Sequence, residues 1–178
     1  MSGARGRWAR PAGYLAIAAA TCVLVFFGWR ASNGASPASA APLAPAFELD
    51  ALEGRAAVEL AHYSGRTVVV NFWASWCGPC EDEIGTLQRA WRRWSKRGVQ
   101  FVGVDSRDST AAGSAFVHDH GVTYPIAVDA EGKTAADYGV WGMPQTFVIS
   151  GDGRVLTRVI GPITAPRLDR AIARSGAH

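Results

Sequence analysis

The stretch Trp76-Cys77-Gly78-Pro79-Cys80 follows closely on the apolar run Val68-Val69-Val70-Asn71-Phe72-Trp73. A run of this kind reads as a buried strand, and the two cysteines stand about one helical turn apart just beyond it. The chain must therefore present a dithiol at a strand-to-helix junction. Unpaired N–H groups and the helix dipole there stabilise a thiolate and lower its pKa from about 8.5 toward about 7 or below. In this reading Cys77 attacks and Cys80 resolves.

A Cys-x-x-Cys pair is also half of a zinc site, but zinc takes four ligands, usually from a second such pair or from closely spaced histidines. The chain has 3 cysteines, and the third, Cys22, lies in an N-terminal apolar run. Glu81 follows Cys80, so the haem-attachment pattern is absent as well. His118 and His120 would diverge by about 200° on a helix. Neither a metal nor an organic cofactor is expected.

The N-terminal quarter is organised differently. Residues 11–29 carry no charge, and at about 1.5 Å per residue they nearly cross a hydrocarbon core of about 30 Å. Arg5, Arg7 and Arg10 precede them, which keeps the N-terminus cytoplasmic, and Tyr14 and Trp29 stand where interfacial aromatics belong. The expected organisation is a cytoplasmic basic segment at 1–10, a single transmembrane anchor at 11–30, and a flexible Ala/Ser/Pro linker at 31–46. One extracytoplasmic domain follows at 47–178. The alternative is a signal sequence cleaved after Ala38-Ser39-Ala40, which would leave a secreted protein. The run is longer than the usual signal core, which favours the anchor. The formal charge of +3 owes its sign to Arg5, Arg7, Arg10 and Arg30. Without them the acids slightly outnumber the bases, and nothing argues for nucleic acid.

Within the domain, strands are predicted over 68–73, 101–104, 126–128, 146–149 and 155–160. Asp152-Gly153 makes the last two an antiparallel hairpin. The helix after Cys77 carries Ile84, Leu87, Trp91 and Trp94 as one apolar stripe, with acids at its start and bases at its end. Further helices are predicted over 110–120 and 133–138. The alternation suits an α/β fold with a mixed central sheet flanked by helices.

Asn71-Phe72-Trp73-Ala74-Ser75-Trp76-Cys77-Gly78-Pro79-Cys80, with Gly142-Met143-Pro144-Gln145-Thr146-Phe147-Val148-Ile149 downstream, resembles the thioredoxin superfamily. Within that group the chain is most similar to the membrane-anchored TlpA/ResA-type thiol-disulfide oxidoreductases. The resemblance covers about residues 45–175 and implies a thioredoxin-like fold in which 105–129 is the extra helix and strand of the TlpA and redoxin branch. Peroxiredoxins of that branch carry a Thr three residues before the attacking cysteine, where this chain has Ala74. The resemblance also implies a cis bond at Met143-Pro144, with the Met143 backbone placed to pair with an incoming substrate strand. Trp76, Trp141 and Met143 would rim an apolar docking surface; alternatively the aromatics are partly buried core.

Two departures from the family pattern stand out. Asn71 occupies the place of a buried aspartate in thioredoxins and cannot accept a proton. Glu83 borders the apolar stripe of its helix, about 60° from Cys80 and about 20° from Trp94. Burial there would raise its pKa and let it take the proton of Cys80, as a Glu at the same spacing does in the TlpA-type proteins. The alternative is an exposed first-turn Glu that complements the helix dipole. Gly85 stands where the family commonly has a helix-kinking proline.

The chemistry expected is dithiol exchange with protein disulfides. Gly78-Pro79 resembles the dipeptide of reducing thioredoxins, near −270 mV, rather than of oxidants near −120 mV. The family implies re-reduction by a membrane electron donor and, as a frequent substrate, the cysteines of apocytochrome c. The other readings are a disulfide oxidase or isomerase for secreted proteins, and a non-enzymatic module such as a copper-delivery protein.

Overall fold

The central strand, β3 (Val68–Trp73), is buried along all 6 of its residues. An unbroken apolar run is what a strand covered on both faces requires. β4 (Gln100–Ser106) pairs with it in parallel, and β5 (Ile126–Asp129) in turn pairs in parallel with β4. On its other side β3 meets β6 (Gln145–Ile149) antiparallel, and β6 meets β7 (Val155–Ile160) antiparallel across a turn in which Gly153 has φ +80°. The sheet order is β5-β4-β3-β6-β7. The structure is a computed structural model describing residues 41–54 and 56–176. The basic segment, the predicted membrane span and residues 31–40 of the linker lie outside the described residues. Among the described residues no helix is long and apolar enough to cross a membrane.

Among the described residues four α-helices cover the sheet: α1 (Gly78–Trp94), α2 (Thr110–Asp119), α3 (Lys133–Asp137) and α4 (Ala165–Ala173). On one face Trp73, Val148 and Phe101 of the strands meet Leu87 and Trp94 of α1, Phe116 of α2, and Leu168 and Ile172 of α4. On the other, Phe72, Val102 and Phe147 meet Ala135 of α3 and the adjoining Tyr138, with Phe47 and Val58 from the N-terminal segment. This is the layered arrangement the sequence implies. The insertion at 105–129 supplies α2 and β5.

Local signals explain where α1 begins and ends. Cys77 is its N-cap, in extended conformation, and Pro79 occupies the first turn, where its missing N–H costs nothing. Arg92 and Arg93 lie in the last turn against the negative end of the dipole. Gly98, at φ +81°, reverses the chain after a closing 3-10 turn. Of the predicted stripe, Ile84, Leu87 and Trp94 are buried, while Trp91 packs on the core from a half-buried position. The helix runs unbroken through Gly85.

The folded unit reaches back to Ala41, into the stretch the sequence assigns to the linker. Val155 N donates to Pro42 O and Ala44 N to Gly153 O, so this segment covers the start of edge strand β7. Further on, Leu52 N donates to Ile126 O and Val128 N to Asp50 O, which covers the opposite edge at β5. Backbone bonds of this kind protect sheet edges and leave little trace in composition. The short antiparallel pair β1 (Glu48–Leu49) and β2 (Val58–Glu59) and helix α4 are also absent from the sequence reading. The apolar positions Leu168, Ala171 and Ile172 of α4 do follow helical spacing, with Pro166 in its first turn.

Gly103, in the middle of β4, has a packing reason. A Cβ there would lie 2.5 Å from Ile126 Cδ1, 2.9 Å from Trp73 Nε1 and 3.3 Å from Tyr124 Cε2. Gly103→Ala should therefore lower unfolding free energy by about 1–3 kcal/mol, as overpacked cores do. Guanidinium unfolding checks this; an unchanged or higher midpoint contradicts it.

Candidate active site

Cys77 and Cys80 form a disulfide, with S–S 2.04 Å and Cα–Cα 5.3 Å. Both sulfur-bearing residues are nearly covered, Cys77 at 5% exposure and Cys80 at 1%. The approach to the pair is built by the turn between β3 and α1. Cys77 N donates to Ala74 O at 3.2 Å, and Cys77 O receives the Cys80 and Glu81 amides at 2.9 and 3.3 Å. Cys77 thus stands at the positive end of α1, where a thiolate is favoured on reduction.

Glu83 lies one turn beyond Cys80 and is 2% exposed. Its Oε1 accepts from Asn71 Nδ2 at 2.7 Å and its Oε2 from Ile163 N at 2.6 Å. Asn71 Nδ2 also donates to Thr146 Oγ1 at 3.1 Å. Burial pushes the Glu83 carboxyl up to about 7, against the lowering effect of the Ile163 and Asn71 bonds. The exposed, dipole-complementing alternative for Glu83 does not hold. Asn71, the residue that cannot take a proton, is the donor that aims the one that can. Tyr124 is buried nearby, and its phenol is raised by burial and then by the Glu83 charge. Glu81 is exposed.

Trp76 is 62% exposed and Trp141 81%, so the reading of these aromatics as core is also incorrect. With Val140, Met143 and Arg107 they line a cleft of about 230 Å³. Met143 is half-buried and Pro144 is buried, and the bond between them is cis, as the resemblance implies. Trp76 Nε1 donates to Arg107 O at 3.1 Å, which fixes the ring over the cleft.

The loop after β4 was not identified from sequence. Arg107 has φ +58°, and among the described residues it is the one non-glycine with positive φ. Asp108 Oδ2 accepts from Ser75 N at 2.6 Å and its Oδ1 from Ser109 N at 2.7 Å. Partial burial alone would raise the Asp108 carboxyl, but bonds from Ser75, Ser109 and Asp105 hold it below its ordinary value. Asp105 is 1% exposed. Burial, then the charge of Asp108 and a hydrogen bond to it, push Asp105 up to about 7. The available signal was an acid at the end of an apolar strand run. Among the described residues no group of three His, Cys, Asp or Glu side chains could hold a metal ion.

A dithiol at the start of a helix, with a carboxyl buried one turn beyond Cys80 and an X-cis-Pro loop nearby, defines a thioredoxin-like redox protein. The AhpC/TSA family model matches residues 41–158. The chain is 34% identical over 126 residues to a thiol-disulfide oxidoreductase ResA of Bacillus thuringiensis, covering 71% of this chain and 72% of the relative. It is 35% identical over 142 residues to the thiol:disulfide interchange protein HelX of Rhodobacter capsulatus, covering 79% and 78%. Among solved structures, a DsbF homologue from Corynebacterium diphtheriae matches with TM-score 0.70 and 30% identity, covering 79% of this chain and 90% of that one. The chain belongs to the AhpC/TSA family and, within it, to the thioredoxin-like thiol-disulfide oxidoreductases similar to ResA.

Glu83 and Asp105 both hold protons to about pH 7, while unfolded carboxyls release them near 4. Between those values the folded state binds more protons, so stability falls as pH rises from about 4 to about 7. Glu83→Gln should remove on the order of 2 kcal/mol of that fall. Unfolding of the oxidised protein followed across this range checks it, and an unaltered slope contradicts the assignment.

Proposed function

We propose that the chain is an extracytoplasmic, membrane-anchored protein-disulfide reductase. The observation that carries the reading is Glu83, buried one turn below the resolving cysteine and aimed by Asn71 and Ile163 N. On reduction, the Cys77 thiolate attacks one sulfur of a substrate disulfide, and the other substrate sulfur leaves as a thiolate that takes a proton. Cys80 then gives its proton to Glu83 and displaces the substrate sulfur from Cys77. The products are a dithiol substrate and the Cys77–Cys80 disulfide, two electrons having passed to the substrate.

Substrate docks against Trp76, Trp141 and Met143, with Pro144 holding the Met143 backbone in place for strand-to-strand pairing. The dipeptide Gly78-Pro79 supports the reducing direction. The apolar run at 11–30 behind Arg5, Arg7 and Arg10 supports the anchor and its orientation. A reductase in an oxidising compartment requires re-reduction, which a membrane electron donor would supply. Similarity to ResA supports a place in cytochrome c maturation, with apocytochrome c cysteines as substrate.

Thiol trapping tests the roles of the two cysteines. Cys80→Ser should accumulate a mixed disulfide through Cys77 with a disulfide-bonded protein, whereas Cys77→Ser should form none. Equal trapping by both variants, or by neither, contradicts the assignment.

A further inference from the structure

Asp105 has no part in the exchange just described, yet it is one of the most deeply covered acids in the protein. Neither of its oxygens receives an N–H or hydroxyl from the residues around it. The space for its carboxyl exists because residue 113 of α2 is glycine: a Cβ there would lie 2.0 Å from Asp105 Oδ2. An acid this buried, with no donor directed at it, is stable only if it keeps its own proton and offers it in a hydrogen bond to an acceptor. The neighbouring acceptor is the carboxylate of Asp108, three residues along the chain, whose charge helps to raise Asp105.

Asp108 is in turn committed. Its Oδ2 receives Ser75 N at 2.6 Å and its Oδ1 receives Ser109 N at 2.7 Å. Ser75 N belongs to the Ala74–Ser75 peptide, whose carbonyl oxygen receives Cys77 N. A planar peptide group held from its N–H side cannot rotate without breaking the bond on its carbonyl side. Asp108 therefore fixes the plane on which the Cys77 amide rests.

We propose that Asp105 is a positioning residue for exchange at Cys77: it donates its carboxyl proton to Asp108, and Asp108 thereby holds the Ala74–Ser75 peptide that orients the Cys77 amide. The inference rests on the reading of Cys77 as the attacking thiol. Ionisation of Asp105 places two negative carboxylates side by side, and Asp108, the less buried of the two, is the one free to move. The Ser75 amide then loses its acceptor, and the turn that presents Cys77 loosens as pH rises.

Among the described residues, Asp108 is the charge that acts on Asp105. β3 presents Trp73 and β5 presents Val128 at the paired positions, while α2 presents Gly113 with Leu52 packed behind it. The Arg107 side chain is turned against Gly132. Glu83 titrates in the same range from beneath Cys80, so the two acids are separated by substitution.

The test uses the oxidised full chain, in which no active-site thiol titrates, and follows the amide resonances of Ser75 and Cys77 against pH. In wild type and in Glu83→Gln both should shift with a midpoint near 7, and in Asp105→Asn, whose amide still donates to Asp108, the shift should vanish. In the reduced chain at mildly acidic pH, Asp105→Ala should slow alkylation of Cys77 about fivefold, the size of one hydrogen bond. Asp105→Asn should restore the wild-type rate. A Ser75 titration that persists in Asp105→Asn, or an alanine variant that reacts as fast as wild type, overturns the proposal. Disulfide exchange that survives Cys77→Ser would instead overturn the role given to Cys77.

Discussion

The bonds to the Glu83 carboxylate join parts of the protein that are far apart in sequence. Through Asn71 the carboxylate is tied to β3, through Asn71 and Thr146 to β6, and through Ile163 N to the segment entering α4. A buried acid in an otherwise apolar layer costs stability unless its oxygens are satisfied. Here both are, by donors that leave it able to change protonation state near neutrality. The carboxyl one turn beyond Cys80 therefore ties β3, β6 and the segment entering α4 to α1.

The other side of the dithiol is set by a different acid pair. The loop at the end of β4 holds Ser75 N through Asp108 and the Trp76 indole through the Arg107 carbonyl. The segment at 105–129 also builds this support, since α2 supplies the glycine that makes room for Asp105. The motif thus lies between two buried carboxyls, Glu83 one turn beyond Cys80 and Asp105 at the end of β4 beside the loop that holds Ser75 N. Exposure follows the same division: Trp76 and Trp141 face solvent while both sulfurs are nearly covered.

Much of this could be read from the residues. The strand at 68–73, the helix after Cys77 and the hairpin at Asp152-Gly153 were legible because apolar runs, caps and turn residues are local signals. Glu83 was legible because its angle on the helix borders the apolar stripe. What escaped depends on tertiary contact. The ordering of residues 41–46 rests on backbone bonds to a sheet edge, and β1 and β2 are too short to show a period. Asn71 read as a missing acid because its donor role exists only once Glu83 folds beneath it. Asp105 and Asp108 are separated from Ser75 by more than a helix of sequence, and only the parallel register of β3 with β4 brings them together.

A reductase needs the Cys77/Cys80 pair to be a reducing couple, and the measurement that tests this most directly is its reduction potential, obtained by equilibrating the protein against graded thiol-disulfide buffers. A value near or below about −250 mV is predicted and would require an electron supply. A value above about −150 mV would make the protein an oxidant and contradict the reductase reading.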